Sequence, residues 1–189
     1  MISQTEIEMR EILVNEEKCR VCKGKCCQRH ACDCSPEDFD NDIRLMRGAL
    51  ETGKYAIDFT RSTADAFVYS SKGALTLDIE HILKTENEAL YIRGRNRNRP
   101  IVDILHTEKK EGPCVMWSLE KGCELSFEQR PKYGRTVIPF LFIPENCINT
   151  YTKQDLIQEW KPYTKELFKL AKEFFPKDWE LYEEFNIVL

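Results

Sequence analysis

No stretch of this 189-residue chain approaches the roughly 18 consecutive apolar residues that a bilayer-spanning helix needs. The opening residues, MISQTEIEMREILVNEEK, lack the basic-then-apolar order of a secretory signal and carry five glutamates. A cytoplasmic location is the expectation. An excess of positive charge is missing too. The formal net charge is -4, whereas domains that bind nucleic acid by bulk electrostatics are strongly basic, so nucleic acid is not an expected partner. There are only three histidines, no Ser-His-Asp order is readable, and no paired carboxylates stand out. A glycine-rich nucleotide loop is also absent.

Cysteine is what the chain has in plenty. It carries nine, and six of them, Cys19, Cys22, Cys26, Cys27, Cys32 and Cys34, fall within sixteen positions. With 42% hydrophobic and 11% aromatic residues the chain can bury an ordinary core without disulfides. In a reducing compartment, clustered cysteines point to metal binding or catalysis rather than to cross-links. An odd count also suits a fully disulfide-bonded scaffold poorly. Disulfides remain the alternative, as a redox switch or as oxidation of an emptied site.

The spacing is informative. Cys19-x-x-Cys22 lets a tight turn present two sulfurs to one ion. Adjacent Cys26 and Cys27 point to opposite sides, so one can ligate while the other packs or serves a second metal. Cys32 and Cys34 precede a helix N-terminus, whose partial positive charge favours thiolates. Downstream, Gly112-Pro113-Cys114 and Gly122-Cys123 set sulfurs beside turn formers. Tetrahedral zinc and iron–sulfur clusters both take four cysteines. Cys147 and His30 are additional candidate ligands. The bland reading of any single cysteine is a small buried hydrophobe, and it weighs most for Cys147, then for Cys32 and Cys34.

A short helix is expected over residues 5–17. Ser35-Pro36-Glu37-Asp38 reads as an N-cap and capping box opening one helix that carries Phe39, Ile43, Met46 and Leu50 and ends at Gly53. Strands are expected at 55–59, 89–93 and 101–105, with Leu75–Leu83 ambiguous. Residues 136–144 read as an edge strand, limited by their prolines. From Thr152 the stripe Leu156, Trp160, Tyr163, Leu167, Leu170 and Phe174 marks helix, with Pro162 restarting or kinking it. That stripe reads as a core face, or as a dimer surface if left uncovered. Pro176 should stop the helix, and 177–185 should form a last short one.

These residues resemble the CxxCxxCC family of zinc- or iron-chelating cysteine-cluster proteins. Cys19-x-x-Cys22-x-x-x-Cys26-Cys27 resembles its opening motif with one extra residue. Cys32-x-Cys34-Ser35-Pro36-Glu37-Asp38-Phe39, Leu50-x-x-Gly53-x-Tyr55-x-Ile57-Asp58 and Tyr91-Ile92-Arg93-x-Arg95 resemble one branch of it. Gly112-Pro113-Cys114-Val115-x-Trp117, Gly122-Cys123-x-Leu125 and Arg130-Pro131 resemble the closing motif. The family pattern places a cysteine three residues after that proline, and here the residue is Gly134. At motif level the chain is also similar to a domain of flagellin lysine methylases, a likeness too loose to imply an activity.

Arg93, Arg95, Arg97 and Arg99 alternate, so an extended segment would project all four from one face. The bland reading is a solvated hairpin. Otherwise the ridge could hold an anion, or Arg93 and Arg95 could neutralise thiolate charge near a metal. Arg130 is read as pinning the closing loop.

The expectation is a single α+β domain, residues 1–189, with terminal helices packed on a small irregular sheet. A cysteine-ligated metal site would join the cysteine loop 19–34 to the closing loop 112–135, with a helical segment at 152–185. Its ligands would come from Cys19, Cys22, Cys26, Cys27, Cys32, Cys34, Cys114 and Cys123, with Arg93, Arg95 and Arg130 around them. The expected cofactor is iron, as the ion or an iron–sulfur cluster, or zinc, and a redox role is the first reading. The alternatives are a structural zinc module presenting a surface to a protein partner, and a metal-dependent enzyme acting on a protein substrate.

Overall fold

The computed structural model describes residues 23–24, 27–28, 31–60, 67–69, 75–77, 79–104, 112–139 and 147–174. The helices expected at 5–17 and 177–185 lie outside these residues, as do Cys19, Cys22, Cys26, His30 and His106. What is described mixes helices with small antiparallel sheets, an α+β arrangement. None of the described helices is long and apolar enough to cross a membrane.

Strand β1 (Tyr55–Phe59) pairs with β4 (Leu90–Gly94), with Ile57 opposite Ile92 and Phe59 opposite Leu90. Two further segments widen this pair. On the β4 side, the Cys34 amide donates to Ile92 (3.0 Å) and the Gly94 amide to Cys32 (2.8 Å). On the β1 side, the expected strand at 101–105 contributes only the isolated parallel bridge Ile57–Val102. The cysteine pair 32/34 thus forms an edge of the central sheet. Among the described residues there are three smaller pairs: β2 (Phe67–Tyr69) with β3 (Leu75–Leu77), β5 (Trp117–Ser118) with β6 (Gly122–Cys123), and β7 (Val137–Pro139) with β8 (Cys147–Asn149).

The two-residue period sorts the faces of β1 and β4. Ile57, Phe59, Leu90 and Ile92 share one face and belong to the larger core. Asp58, Tyr91 and Arg93 share the other, where Arg93 Nε donates to Asp58 Oδ2 at 2.6 Å. Arg93 also bonds Asp103 and Asn96, and all four side chains are buried. A charge so buried requires such partners.

The single helix expected from Pro36 to Gly53 is two elements. A 3-10 turn covers Pro36–Phe39, and helix α1 runs Ile43–Glu51. Asp40 and Asn41 between them adopt left-handed φ of 51° and 56°, a conformation that Asp and Asn tolerate best among side-chain-bearing residues. Asp42 then caps α1 by accepting from the Arg44 amide. Gly53, at φ 68°, ends the helix as expected.

The ambiguous stretch resolves into β3 and helix α2 (Ile79–Lys84). The four-residue α3 (Lys132–Arg135) carries Gly134. Thr152 caps α4 (Lys153–Trp160), and Pro162 sits in a 3-10 turn, Lys161–Tyr163, before α5 (Thr164–Phe174). Both α4 and α5 pack on β4. Trp160 and Leu167 are completely buried, so the stripe is a core face. The Trp160 indole also donates to the Cys34 carbonyl at 2.7 Å, tying α4 to the cysteine edge.

Candidate metal centre

Backbone contacts join the opening loop to the closing hairpin. The chain turns at Lys23 (φ 52°) and Gly24 (φ 65°), and the Gln28 amide returns to the Gly24 carbonyl at 3.2 Å. Against that turn lies the β5–β6 pair. The Trp117 indole donates to the Lys23 carbonyl at 2.8 Å. Gly122 makes the close approach possible: its φ is 76°, and a Cβ there would meet Lys23 C and O at 2.8 Å. The Cys114 amide closes the contact by donating to the Cys27 carbonyl at 2.8 Å.

These contacts bring sulfurs together. Cys27, Cys32, Cys34, Cys114 and Cys123 are thiols rather than disulfides. Cys27 and Cys114 anchor a second apolar cluster with Met116 and Trp117, and Cys32 packs against it. Hydrogen bonding from Cys27, opposed by partial burial, lowers the Cys123 thiol to about 6, with the Leu125 amide and Arg130 contributing. Cys114 goes the other way. Burial pushes it up to about 11, although its sulfur accepts from the Met116 amide at 3.5 Å. Cys32 and Cys123 are close enough to Cys114 to raise it further.

Cys34 is set apart. It lies in the larger core with no exposure, and burial, with Asp38 and Asp33 next, pushes its thiol well above the ordinary value. Tyr55 packs against both clusters, and burial with the nearby Cys34 raises its hydroxyl to about 12. Cys147 opens β8 opposite Pro139. Among the described residues, no group of three or more His, Cys, Asp or Glu side chains is arranged to hold a metal ion.

The four arginines do not form one extended ridge. β4 ends at Gly94 and the chain turns at Asn98 (φ 65°), so the extended alternation stops. Arg93 is committed to Asp58, Asp103 and Asn96. Arg95 donates to the carbonyls of Gly53 and Arg99, and Arg97 to that of Trp117. Arg99 donates to Asp103. Of the four, Arg93 still reaches the sulfurs electrostatically, as the weakest influence on Cys114. The solvated-hairpin reading holds for Arg97, which is exposed, and fails for Arg93, which is buried on carboxylates.

Sequence reasoning missed two organisers. Asp38 is more than a capping-box residue. Its carboxylate accepts from the Ser35 amide (2.8 Å), the Lys132 amide (2.9 Å) and Arg135 Nη2 (2.6 Å). It therefore pins the α3 segment to the residues that follow Cys34. Trp117 serves as the indole bridge to Lys23, and its place beside Gly-Cys in the hairpin was the available signal. Comparison with family models, curated proteins and solved structures finds no match to this chain.

Proposed function

We propose that this chain is a cysteine-cluster metal protein, a divergent relative of the CxxCxxCC family, holding zinc or iron where its opening loop meets its closing hairpin. The carrying observation is the contact of the opening loop with the closing hairpin, made by the Cys114 amide on the Cys27 carbonyl and the Trp117 indole on the Lys23 carbonyl. Cysteines carried on both sides of that contact form a soft donor set suited to zinc or iron. Cys27 and Cys123 would hold the ion, with further sulfur from Cys32, Cys114 and the cysteines that precede residue 27. Bound iron would supply electron transfer, and bound zinc a structural clamp.

Gly134 adds a second support. A Cβ placed there would lie 3.2 Å from Cys32 Sγ. The position where the resemblance expects a cysteine therefore faces a cysteine sulfur. In this chain that sulfur would be missing from the donor set, leaving room for an outside ligand.

Elemental analysis and a visible spectrum of anaerobically purified protein test the reading. Iron with inorganic sulfide and brown colour directs it to redox chemistry. Zinc near one or two per chain without colour directs it to a structural clamp. Protein that carries no metal, and takes up neither zinc nor iron when reduced, refutes it.

A further inference from the structure

We propose that Asn96 is a positioning residue that sets the Cys114 sulfur for the metal centre. The inference rests on the metal reading above and deepens it, by naming the side chain that ties the closing loop to the buried charges. Asn96 is 1% exposed and lies just after β4. Both ends of its amide are used. Oδ1 accepts from Arg93 Nη1, and Nδ2 donates to the Gly112 carbonyl at 2.5 Å. Chemistry fixes that orientation. A guanidinium can only donate and a carbonyl can only accept, so a turned amide would set like against like at both ends.

The anchored carbonyl is two residues from Cys114. Gly112 has φ 136°, where residues with a side chain are strained, and Pro113 has its φ fixed by its ring. Little freedom to move Cys114 is left while that carbonyl is held. Backbone bonds run alongside: the Arg97 amide donates to Pro113 (2.8 Å) and the Val115 amide to Arg95 (2.9 Å), and Asn96 bridges Cys114 in antiparallel fashion. Arg93 is fixed in turn by Asp58 and Asp103. The register of β1 on β4 is thus passed through one amide to the loop that carries Cys114. Replacing a partner one step behind a metal ligand typically weakens metal affinity about 10–100-fold.

The full-length protein, reduced and stripped by a chelator, is titrated anaerobically with cobalt(II), and the thiolate-to-cobalt absorption is read. Asn96→Asp keeps an acceptor for Arg93 but sets a carboxylate oxygen against the Gly112 carbonyl. Cobalt affinity should fall about 10–100-fold. In a Cys114→Ser background the same change should cost about twofold or less, because the effect passes through Cys114. Asn96→Ala, which adds no charge, should behave alike, so the test survives if Asn96→Asp fails to fold. In the metal-free protein, Cys114 should be alkylated at least about tenfold faster in Asn96→Ala, while Cys34 in the other core keeps the parent rate. Unchanged cobalt affinity, an equal loss with and without Cys114, or an equal acceleration at Cys114 and Cys34 overturns the proposal. A parent protein that shows no thiolate–cobalt absorption refutes the metal reading itself. A parent that shows it, with Asn96 variants that match, refutes this inference alone.

Discussion

Replacing Asp38 with alanine should loosen the closing segment from the cysteine edge. The carboxylate is 10% exposed and accepts three hydrogen bonds, two of them from residues 94 and 97 positions away. A hydrogen bond to a charged group is worth about 1.5–3 kcal/mol. The Arg135 end is 36% exposed and is largely screened, so it adds less than about 1 kcal/mol. The two amide bonds carry the rest, since the Ser35 amide belongs to a residue with no exposure. The expected loss is about 3 kcal/mol, or roughly 6–12 °C in melting temperature for a chain of this size. Urea unfolding measures the first and calorimetry the second. Arg135→Ala alone should cost about 1 kcal/mol or less. Because Asp38 holds α3, its loss should also expose Cys32 beside Gly134, seen as faster alkylation of Cys32 in the folded protein. A variant within about 1 kcal/mol of the parent, with Cys32 alkylated no faster, would refute the idea that Asp38 fixes this junction.

Gly134→Cys should add a sulfur facing Cys32 and tighten metal retention against a chelator. Structural zinc sites provide about 10–16 kcal/mol from four ligands, so one ligand is worth about 3 kcal/mol, on the order of 100-fold. Unchanged retention would remove position 134 from the donor set. Arg93→Met should cost about 3–5 kcal/mol in urea unfolding, because it leaves Asp58 and Asp103 buried beside an apolar chain. A loss below about 1 kcal/mol would contradict the buried network. In reduced, metal-free protein, alkylation of Cys123 should rise with pH through a midpoint near 6, while Cys114 follows one near 11. The Cys123 value in the folded chain is depressed, so the unfolded chain binds more protons between about 6 and 8.5. Its contribution to stability is complete above the unfolded value and is lost as pH falls through about 6. Unfolding measured from pH 6 to 8.5 should gain stability, and Cys123→Ser should flatten that gain.

Local signals in the sequence were dependable where a single residue's chemistry decides the backbone. Thr152 caps α4, Gly53 ends α1, and β1 lies where its alternation placed it. They failed where two local rules compete. Ser35-Pro36 starts a helix, but Asp40-Asn41-Asp42 offers both a left-handed turn and a fresh cap, and the chain takes both. The sequence also suggested that loops 19–34 and 112–135 would meet, and their described residues do so through Cys27, Lys23, Cys114 and Trp117. What it hid was pairing between distant residues. Nothing local in Arg-Gly-Arg-Asn-Arg-Asn-Arg tells that Asp58 and Asp103 claim Arg93, because the claim depends on the register of β1 against β4.

The cysteine junction is wired largely through backbone groups. Bringing residue 27 to residue 123 closes a loop whose entropic cost, by (3/2)RT ln n, is about 4 kcal/mol. Hydrogen bonds accepted by the Cys27 and Lys23 carbonyls, the Gly122 approach and the Asp38 pin offset it without using sulfur. The thiols therefore do not have to hold the fold together. A disulfide there would act mostly on the unfolded chain, removing loop freedom that the folded chain has already given up, whereas an ion bound to the folded chain would stabilise it directly. By this logic the acidic side chains and the arginines build the frame on which the sulfurs are carried.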